Sequence, residues 1–307
     1  STVEATRRAP EAQLERVLRQ RLEGRLLQGV TTVEVKSGYG LSVEAELKML
    51  RILSECEWPV HVSRTFLGAH AIPKEWRHDR RGYVDLVLNE MLPEAAKLAD
   101  QVDVYCDRGA FTVAESEQIL REGIALGLGG RVHAEQVDFT GAASMAAGVG
   151  AISADHLERL DDEGVKAMAA AGMVAVLLPG ARLYLRDPNP PVSKLVEAGV
   201  DIAIATDFNP GSSPVRDLLA CATLACVEFG LSIEAALLGV TRNAARVLGR
   251  ESSGWLGVGS AGDMALFAPP AGEPPEYSTL IQYMGGHRVQ VVVRNGRLVV
   301  DNGLLVG

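Results

Sequence analysis

The sequence predicts an α/β fold, a (β/α)8 TIM-type barrel joined to a small β-rich domain. Three observations carry that prediction. Short, nearly continuous apolar runs rich in β-branched residues alternate with amphipathic stretches at roughly 25–35-residue spacing, as βαβ units around a parallel sheet buried on both faces require. Polar and ionisable residues recur just after these runs. Beyond residue 250 the texture changes to short β-like runs punctuated by glycine.

The predicted strands cover residues 31–36, 60–67, 101–106, 131–134, 151–154, 173–178 and 201–205. Helical patterns lie at 43–55, 93–98, 113–125, 142–148, 161–171 and 191–197, followed by 215–229 and 233–248. Gly29, Gly148, Gly172 and Gly199 stand at helix-to-strand joints, where glycine ends a helix ahead of a buried strand. Seven strands is one fewer than a closed eight-stranded ring needs, since each of its strands must have two neighbours.

The polar residues decide between a ring and an open sheet. Ser37-Gly38-Tyr39-Gly40 follows the first run, Gly68-Ala69-His70 the second and Cys106-Asp107 the third. His133-Ala134-Glu135-Gln136 closes the fourth, Asp155-His156 the fifth and Thr206-Asp207-Phe208-Asn209 the seventh. Groups from so many strand ends converge only at the mouth of a barrel, whereas an open sheet gathers its ligands at one switch point. Residues 1–250 therefore read as strands two to eight of a metal-dependent hydrolase barrel, with strand one missing from the chain. Residues 251–307 read as the C-terminal part of the small β-domain, with strands at 264–267, 289–293 and 297–300. Arg294-Asn295-Gly296-Arg297 is a hairpin turn between the last two, and Pro269, Pro270, Pro274 and Pro275 mark an exposed loop.

Of 307 residues, 47% are hydrophobic and 22% charged, enough to build a large core. The net charge of −9, without a Lys/Arg stripe, argues against nucleic acid as a partner. The basic residues near the start are interleaved with Glu11, Glu15 and Glu23, as on a solvated helix face. No apolar run is long enough to span a bilayer. Cys56, Cys106, Cys221 and Cys226 form no C-x-x-C pair and have largely apolar neighbours, so they read as free thiols in a reducing cytoplasm. The expected partner is a small-molecule substrate, with no nucleic acid and no membrane.

Three of the six histidines, His70, His133 and His156, sit at strand ends, while His61, His78 and His287 do not. Imidazole nitrogens and carboxylate oxygens suit zinc or iron, and a divalent ion with an open position lowers the pKa of a water from about 15.7 to about 7. His133 and Asp207 are strand-end residues of these kinds, and His156 lies between them.

Read in order, Val35-Lys36-Ser37-Gly38-Tyr39-Gly40-Leu41, Thr65-Phe66-Leu67-Gly68-Ala69-His70, His133-Ala134-Glu135-Gln136, Ser153-Ala154-Asp155-His156-Leu157-Glu158 and Thr206-Asp207-Phe208-Asn209-Pro210-Gly211-Ser212-Ser213-Pro214 resemble the imidazolonepropionases. Thr241-Arg242-Asn243-Ala244-Ala245, followed by Gly257, Gly259 and Gly262-Asp263, is similar to the C-terminal run of amidohydrolases generally. The resemblance covers essentially the whole chain. It implies hydrolysis of 4-imidazolone-5-propanoate to N-formimidoyl-L-glutamate in histidine degradation, with one zinc or iron ion held by His133, Asp207 and a His-x-His pair. Asp207 would move the proton as general base and then acid, His156 would support the developing oxyanion, and Gln136 would share in catalysis and binding. Tyr39, His70 and Gln136 would hold the ring, and Asn209, Gly211 and Ser212 the substrate's other polar atoms. The assembly that goes with it is a homodimer.

Simpler roles stand beside these. Tyr39 could serve only in a turn, Ser212 and Ser213 could cap a helix starting near Pro214, and Glu135 and Asp155 could orient neighbours or simply pair charges. Glu158 reads as structural. The pattern departs from the family in one respect: no His-x-His occurs, nor the arginine that follows it, so an N-terminal segment of roughly a hundred residues is expected to precede Ser1. Expressed alone, the stretch is expected to bind metal weakly and to be inactive and poorly folded unless something fills the gap. Two other readings remain: a different cyclic-amide hydrolase or deaminase of the same superfamily, and a non-catalytic barrel.

Overall fold

A computed structural model describes residues 2–306. Seven strands, β1 (Thr32–Lys36), β2 (His61–Ala69), β3 (Gln101–Cys106), β4 (Gly129–Ala134), β5 (Ser153–His156), β6 (Val174–Leu177) and β7 (Ile202–Ile204), form one sheet whose order is the chain order. The registered pairs β2–β3, β3–β4, β4–β5 and β6–β7 are all parallel. This is the strand-by-strand progression expected of a (β/α) barrel chain. Four further strands, β8 (Met264–Ala268), β9 (Arg288–Arg294), β10 (Arg297–Asp301) and β11 (Leu304–Leu305), make a separate antiparallel sheet in the order β11-β10-β9-β8. Contacts divide the chain into two compact units, the first made of residues 2–20, 34–58 and 62–173, the second of 21–33, 59–61 and 174–306.

In the first unit, Ser42 starts the helix Val43–Glu55 by accepting from the Ala45 N–H, and the face carrying Ala45, Leu50 and Leu53 is buried. The helix Val113–Ala125 opens with a reciprocal cap between Thr112 and Glu115 and lies so close to β3 that a Cβ on Gly123 would meet Val102 at 2.5 Å. The helical pattern at 93–98 is the end of a longer run, Arg80–Leu86, a wide turn Val87–Met91, and Leu92–Ala95. Pro93 explains the wide turn: its ring crowds the carbonyl four residues back and it has no N–H to donate. The unit's core includes Phe66, Tyr83, Met91, Val102, Phe111, Ile119 and Val132, all essentially inaccessible to solvent.

Glu115 also receives Arg80, Nε at 2.7 Å and Nη2 at 2.5 Å. That guanidinium, helped by the Thr112 N–H, outweighs burial and lowers the Glu115 pKa from 4.5 to about 2. A depressed folded-state pKa stabilises above the unfolded value, and the contribution disappears as pH falls from about 4.5 towards about 2. Arg80 is 39% exposed, so screening leaves on the order of 1 kcal/mol. Arg80→Met is therefore expected to be less stable than the parent at pH 7, with the deficit shrinking as pH falls towards 2 to what the loss of its bond to the Ala110 carbonyl leaves, as measured by urea unfolding across pH.

In the second unit, β6 pairs with β7 (Ala175 opposite Ile202, Leu177 opposite Ile204), and Val174, Val176, Leu178, Ala181, Ala203 and Val247 pack as one buried cluster. The helix expected over 233–248 is two, Ile233–Gly239 and Arg242–Val247; they part at Thr241, where Asn243 reaches out to donate to the Ile202 carbonyl at 2.8 Å. A helix Pro179–Leu185 was not foreseen; Pro179 begins it, where its missing N–H costs nothing. Asn295 (φ 49°) and Gly296 (φ 73°) make the expected hairpin turn between β9 and β10. All four cysteines are free. Among the described residues no helix is long and apolar enough to cross a membrane.

Candidate active site and metal centre

Within the first unit, polar residues alternate along the strands. Glu34 and Lys36 lie on β1, Asp103 and Tyr105 on β3, Arg131 and His133 on β4, Ser153 and Asp155 on β5, each two apart and so on one face. The register sets Asp103 opposite Arg131, Tyr105 opposite His133, and His133 opposite Asp155. Lys36 Nζ reaches Asp103 at 2.6 Å, Glu34 at 2.9 Å and Asp155 at 3.4 Å. Arg131 forks onto both Asp155 oxygens, at 3.0 and 3.1 Å, and meets Glu34 at 2.8 Å.

Charges this deeply buried persist only when paired. Burial opposes ionisation of Asp103 and Asp155, yet their neighbours win: His133 and Lys36 hold Asp103 far below the usual carboxylate range, and Arg131 and Lys36 lower Asp155. Conversely, burial and mutual repulsion are outweighed for Lys36 and Arg131, whose pKa values rise above normal beside the carboxylates. Three carboxylates thus face two fixed cations, which leaves a negative excess beside His133.

His133 Nδ1 lies 3.1 Å from Asp103. An ionised carboxylate only accepts, so Nδ1 donates and Nε2 keeps its lone pair. Asp103, His133 and Asp155 bring potential ligand atoms within 4.8 Å of one another. The two carboxylates, however, are already taken by Lys36 and Arg131, so His133 Nε2 is the donor this cluster offers outward. A lone-pair imidazole backed by an acidic network fits a divalent cation.

A row of rings runs along the strand ends of this unit. Tyr39 and His70 lie 5.3 Å apart, His70 and Tyr105 6.1 Å, Tyr105 and His133 5.9 Å, His133 and His156 5.4 Å between centroids. His70 Nδ1 is 2.8 Å from the Gly38 carbonyl and must donate to it, which leaves Nε2 an acceptor; burial lowers the pKa and keeps this ring neutral at physiological pH. Glu158, which reads as structural in the sequence, lies 3.8 Å from His156 Nδ1.

The loops that carry these rings are held by buried carboxylates. Glu46 accepts from the N–H groups of Gly38, Gly40 and Leu41, each at 2.8 Å, and so pins the turn bearing Tyr39. Gly38 is left-handed (φ 91°), and a Cβ there would strike the Leu67 carbonyl at 2.8 Å. In Glu46→Gln an amide NH2 must face one of these donors, so a loss of about 1–3 kcal/mol and a raised KM are expected. Thermal unfolding and steady-state kinetics check this.

Asp107 accepts from four backbone N–H groups, Arg108 at 2.6 Å, Gln136 and Val137 at 2.8 Å and Asp138 at 3.0 Å, and Arg159 donates to the Gln136 carbonyl. Glu135, left-handed at φ 51°, turns its carboxylate to Ala142 N (2.7 Å) and Ala143 N (3.1 Å); burial nonetheless raises its pKa. Glu135 thus serves the start of the helix Ala142–Gly148, and Asp155 serves the ion network.

In the second unit, Asp207 is left-handed (φ 47°) just past β7. Asn209 Nδ2 donates to the Asp207 carbonyl (2.7 Å), to its Oδ2 (3.1 Å) and to Ser212 Oγ (2.8 Å), while Asn209 Oδ1 accepts from Gly211 N and Ser212 N, both at 2.8 Å. Asn209 therefore organises a closed loop that presents Asp207. Neither Ser212 nor Ser213 caps the following helix: it begins at Leu218, capped by Asp217, and Ser213 Oγ donates to the Thr206 carbonyl instead.

Sequence reasoning missed Glu34, Lys36, Asp103, Arg131 and Glu46 as parts of the site, and placed Asp107 at a strand end without a role. The first four left a single trace in the sequence, polar residues at every second position within apolar strands.

Residues 5–299 match the Amidohydrolase family. The chain is 43% identical to the imidazolonepropionase of Geobacillus kaustophilus over 308 residues, covering 99% of this chain and 72% of that protein. It is 47% identical to that of Shewanella piezotolerans, covering 97% and 74% respectively. Among solved structures, a mutant atrazine chlorohydrolase from Arthrobacter aurescens complexed with zinc and atraton matches with a TM-score of 0.72 at 19% identity, over 97% of this chain and 74% of that one. An adenosine deaminase from Xanthomonas campestris with bound zinc matches at 0.71 and 18%, over 97% and 72%. At that identity the likeness is one of fold, and the sequence relatives carry the finer assignment. With near-complete coverage at more than 40% identity, the chain belongs to the amidohydrolase family and, within it, to the imidazolonepropionases.

Proposed function

We propose that this chain hydrolyses the ring amide C–N bond of 4-imidazolone-5-propanoate to N-formimidoyl-L-glutamate, a step of histidine degradation. The observation that carries the reading is the row Tyr39, His70, Tyr105, His133 and His156, in a chain whose relatives are imidazolonepropionases. Its cofactor is one divalent ion, zinc or iron, with His133 and Asp207 among the ligands; the support for His133 is its free Nε2, and for Asp207 its motif and the loop that presents it. When bound, the ion supplies Lewis acidity that lowers the pKa of a water from about 15.7 to about 7.

This chain's residues do the rest. Asp207 accepts the proton that water loses on attacking the ring carbonyl carbon and returns it to the departing ring nitrogen. His156 supports the negative charge that grows on the carbonyl oxygen. Tyr39 and His70 hold the ring, and the Gln136 amide, donor and acceptor at once, matches a ring offering both. Gly211 and Ser212 meet the propanoate side through the loop that Asn209 shapes. The substrate is a freely diffusing small molecule of the cytoplasm.

The test is turnover of imidazolone propanoate against hydantoins and aminated nucleobases, followed by chromatography of the ring-opened product. Hydrolysis of the first alone is expected. Turnover of a hydantoin or deamination of a base, with imidazolone propanoate untouched, would replace this reading by another amidohydrolase activity.

A further inference from the structure

We propose that Asp103 is the positioning residue of the metal centre: it accepts the Nδ1 proton of His133 and so fixes Nε2 as the atom that meets the ion. The inference rests on the proposed role of His133 as a ligand and adds a residue that the strand-end motifs do not contain.

The geometry is specific. His133 Nδ1 lies 3.1 Å from both Asp103 oxygens, and Oδ2 also takes Lys36 Nζ at 2.6 Å, so the carboxylate is held between the imidazole and the ammonium. The Asp103 side chain is inaccessible to solvent, so water cannot stand in for it. Lys36 is itself tied to Glu34 and Asp155, and Asp155 to Arg131, which leaves the carboxylate no other place to go. Tyr105 and His156 flank the imidazole at 5.9 and 5.4 Å and restrict its tilt. A carboxylate behind a ligating imidazole fixes both tautomer and ring plane and makes the other nitrogen more basic; losing one typically costs 10–100-fold in metal affinity. In this arrangement Asp103 would act through His133, its charge already engaged by Lys36.

The experiment measures zinc affinity by chelator competition for the unsubstituted protein, Asp103→Asn, Asp103→Ala and His133→Ala, with circular dichroism confirming the fold of each. Asparagine keeps an acceptor oxygen without the charge, so a Kd rise of about 10-fold is expected for it and about 100-fold for alanine. In parallel, 15N NMR of the metal-free unsubstituted protein, with the His133 resonances assigned by their absence in His133→Ala, is expected to show the Nδ1-protonated tautomer. Zinc affinities within twofold of the parent in both Asp103 variants overturn the inference, as does an Nε2-protonated His133. A fall in thermal stability with unchanged Kd also overturns it, since that is what a structural carboxylate alone would give. If the Asp103 variants do not fold, the tautomer decides. If His133→Ala binds zinc as the parent does, the ligand assignment fails first; if it loses zinc while the Asp103 variants keep it, only the present inference fails.

Discussion

Asp207→Asn is expected to lower kcat by about 10²–10⁴-fold, the usual worth of a positioned general base, while KM changes little. Asparagine preserves the shape and keeps an oxygen for Asn209 Nδ2, now 3.1 Å from the carboxylate, so the loop persists. On the proposed mechanism, what is lost is the capacity to take the proton from water and hand it to the leaving nitrogen. Stopped-time assays of product, with metal content of the purified variant measured alongside, test it. An Asp207→Asn enzyme retaining more than a tenth of parental kcat would remove Asp207 from the proton path.

The second large effect concerns stability. Arg131, only 2% exposed, is the partner of both Asp155 and Glu34. In Arg131→Met those carboxylates stay buried with Lys36 as their remaining fixed cation, and breaking a buried pair from one side costs about 3–5 kcal/mol. A fall in Tm on the order of 10 °C is expected, given about 2–4 °C per kcal/mol for domains of 150–250 residues. Calorimetry decides. Because the loss comes from the carboxylates left behind, Asp155→Leu added to Arg131→Met should recover part of it; a double variant less stable than the single one contradicts the explanation.

The fold was legible where local chemistry and burial agree. Runs of β-branched residues located all seven parallel strands, and Val43–Glu55, Val113–Ala125 and Ala142–Gly148 match their helical patterns end to end. Boundaries failed where tertiary contact overrides local preference: His156 belongs to β5 because its strand continues to pair with β4, which no periodicity announces. Of the candidate site, the histidines read at strand ends, His70, His133 and His156, stand in one row of rings in the first unit. The supporting charges were not legible, because Lys36, Asp103 and Arg131 lie inside strands, where a polar residue reads as a break in an apolar run. Their meaning depends on distant neighbours, Arg131 with Asp155 at a separation of 24 and Lys36 with Asp155 at 119. Long-range pairing of this kind leaves only the two-residue alternation as its trace in one sequence.

The clamp on the segment after β4 has a practical consequence. Because the four amides gathered by Asp107 are backbone groups, the path of residues 136–138 is dictated by a neighbouring strand's carboxylate rather than by the side chains along it. Val137 and Phe139, 38% and 52% exposed, are thereby released from holding the segment in place. Substituting polar residues at these two tips is therefore expected to leave the backbone beneath in place, with Gln136 left in its seat.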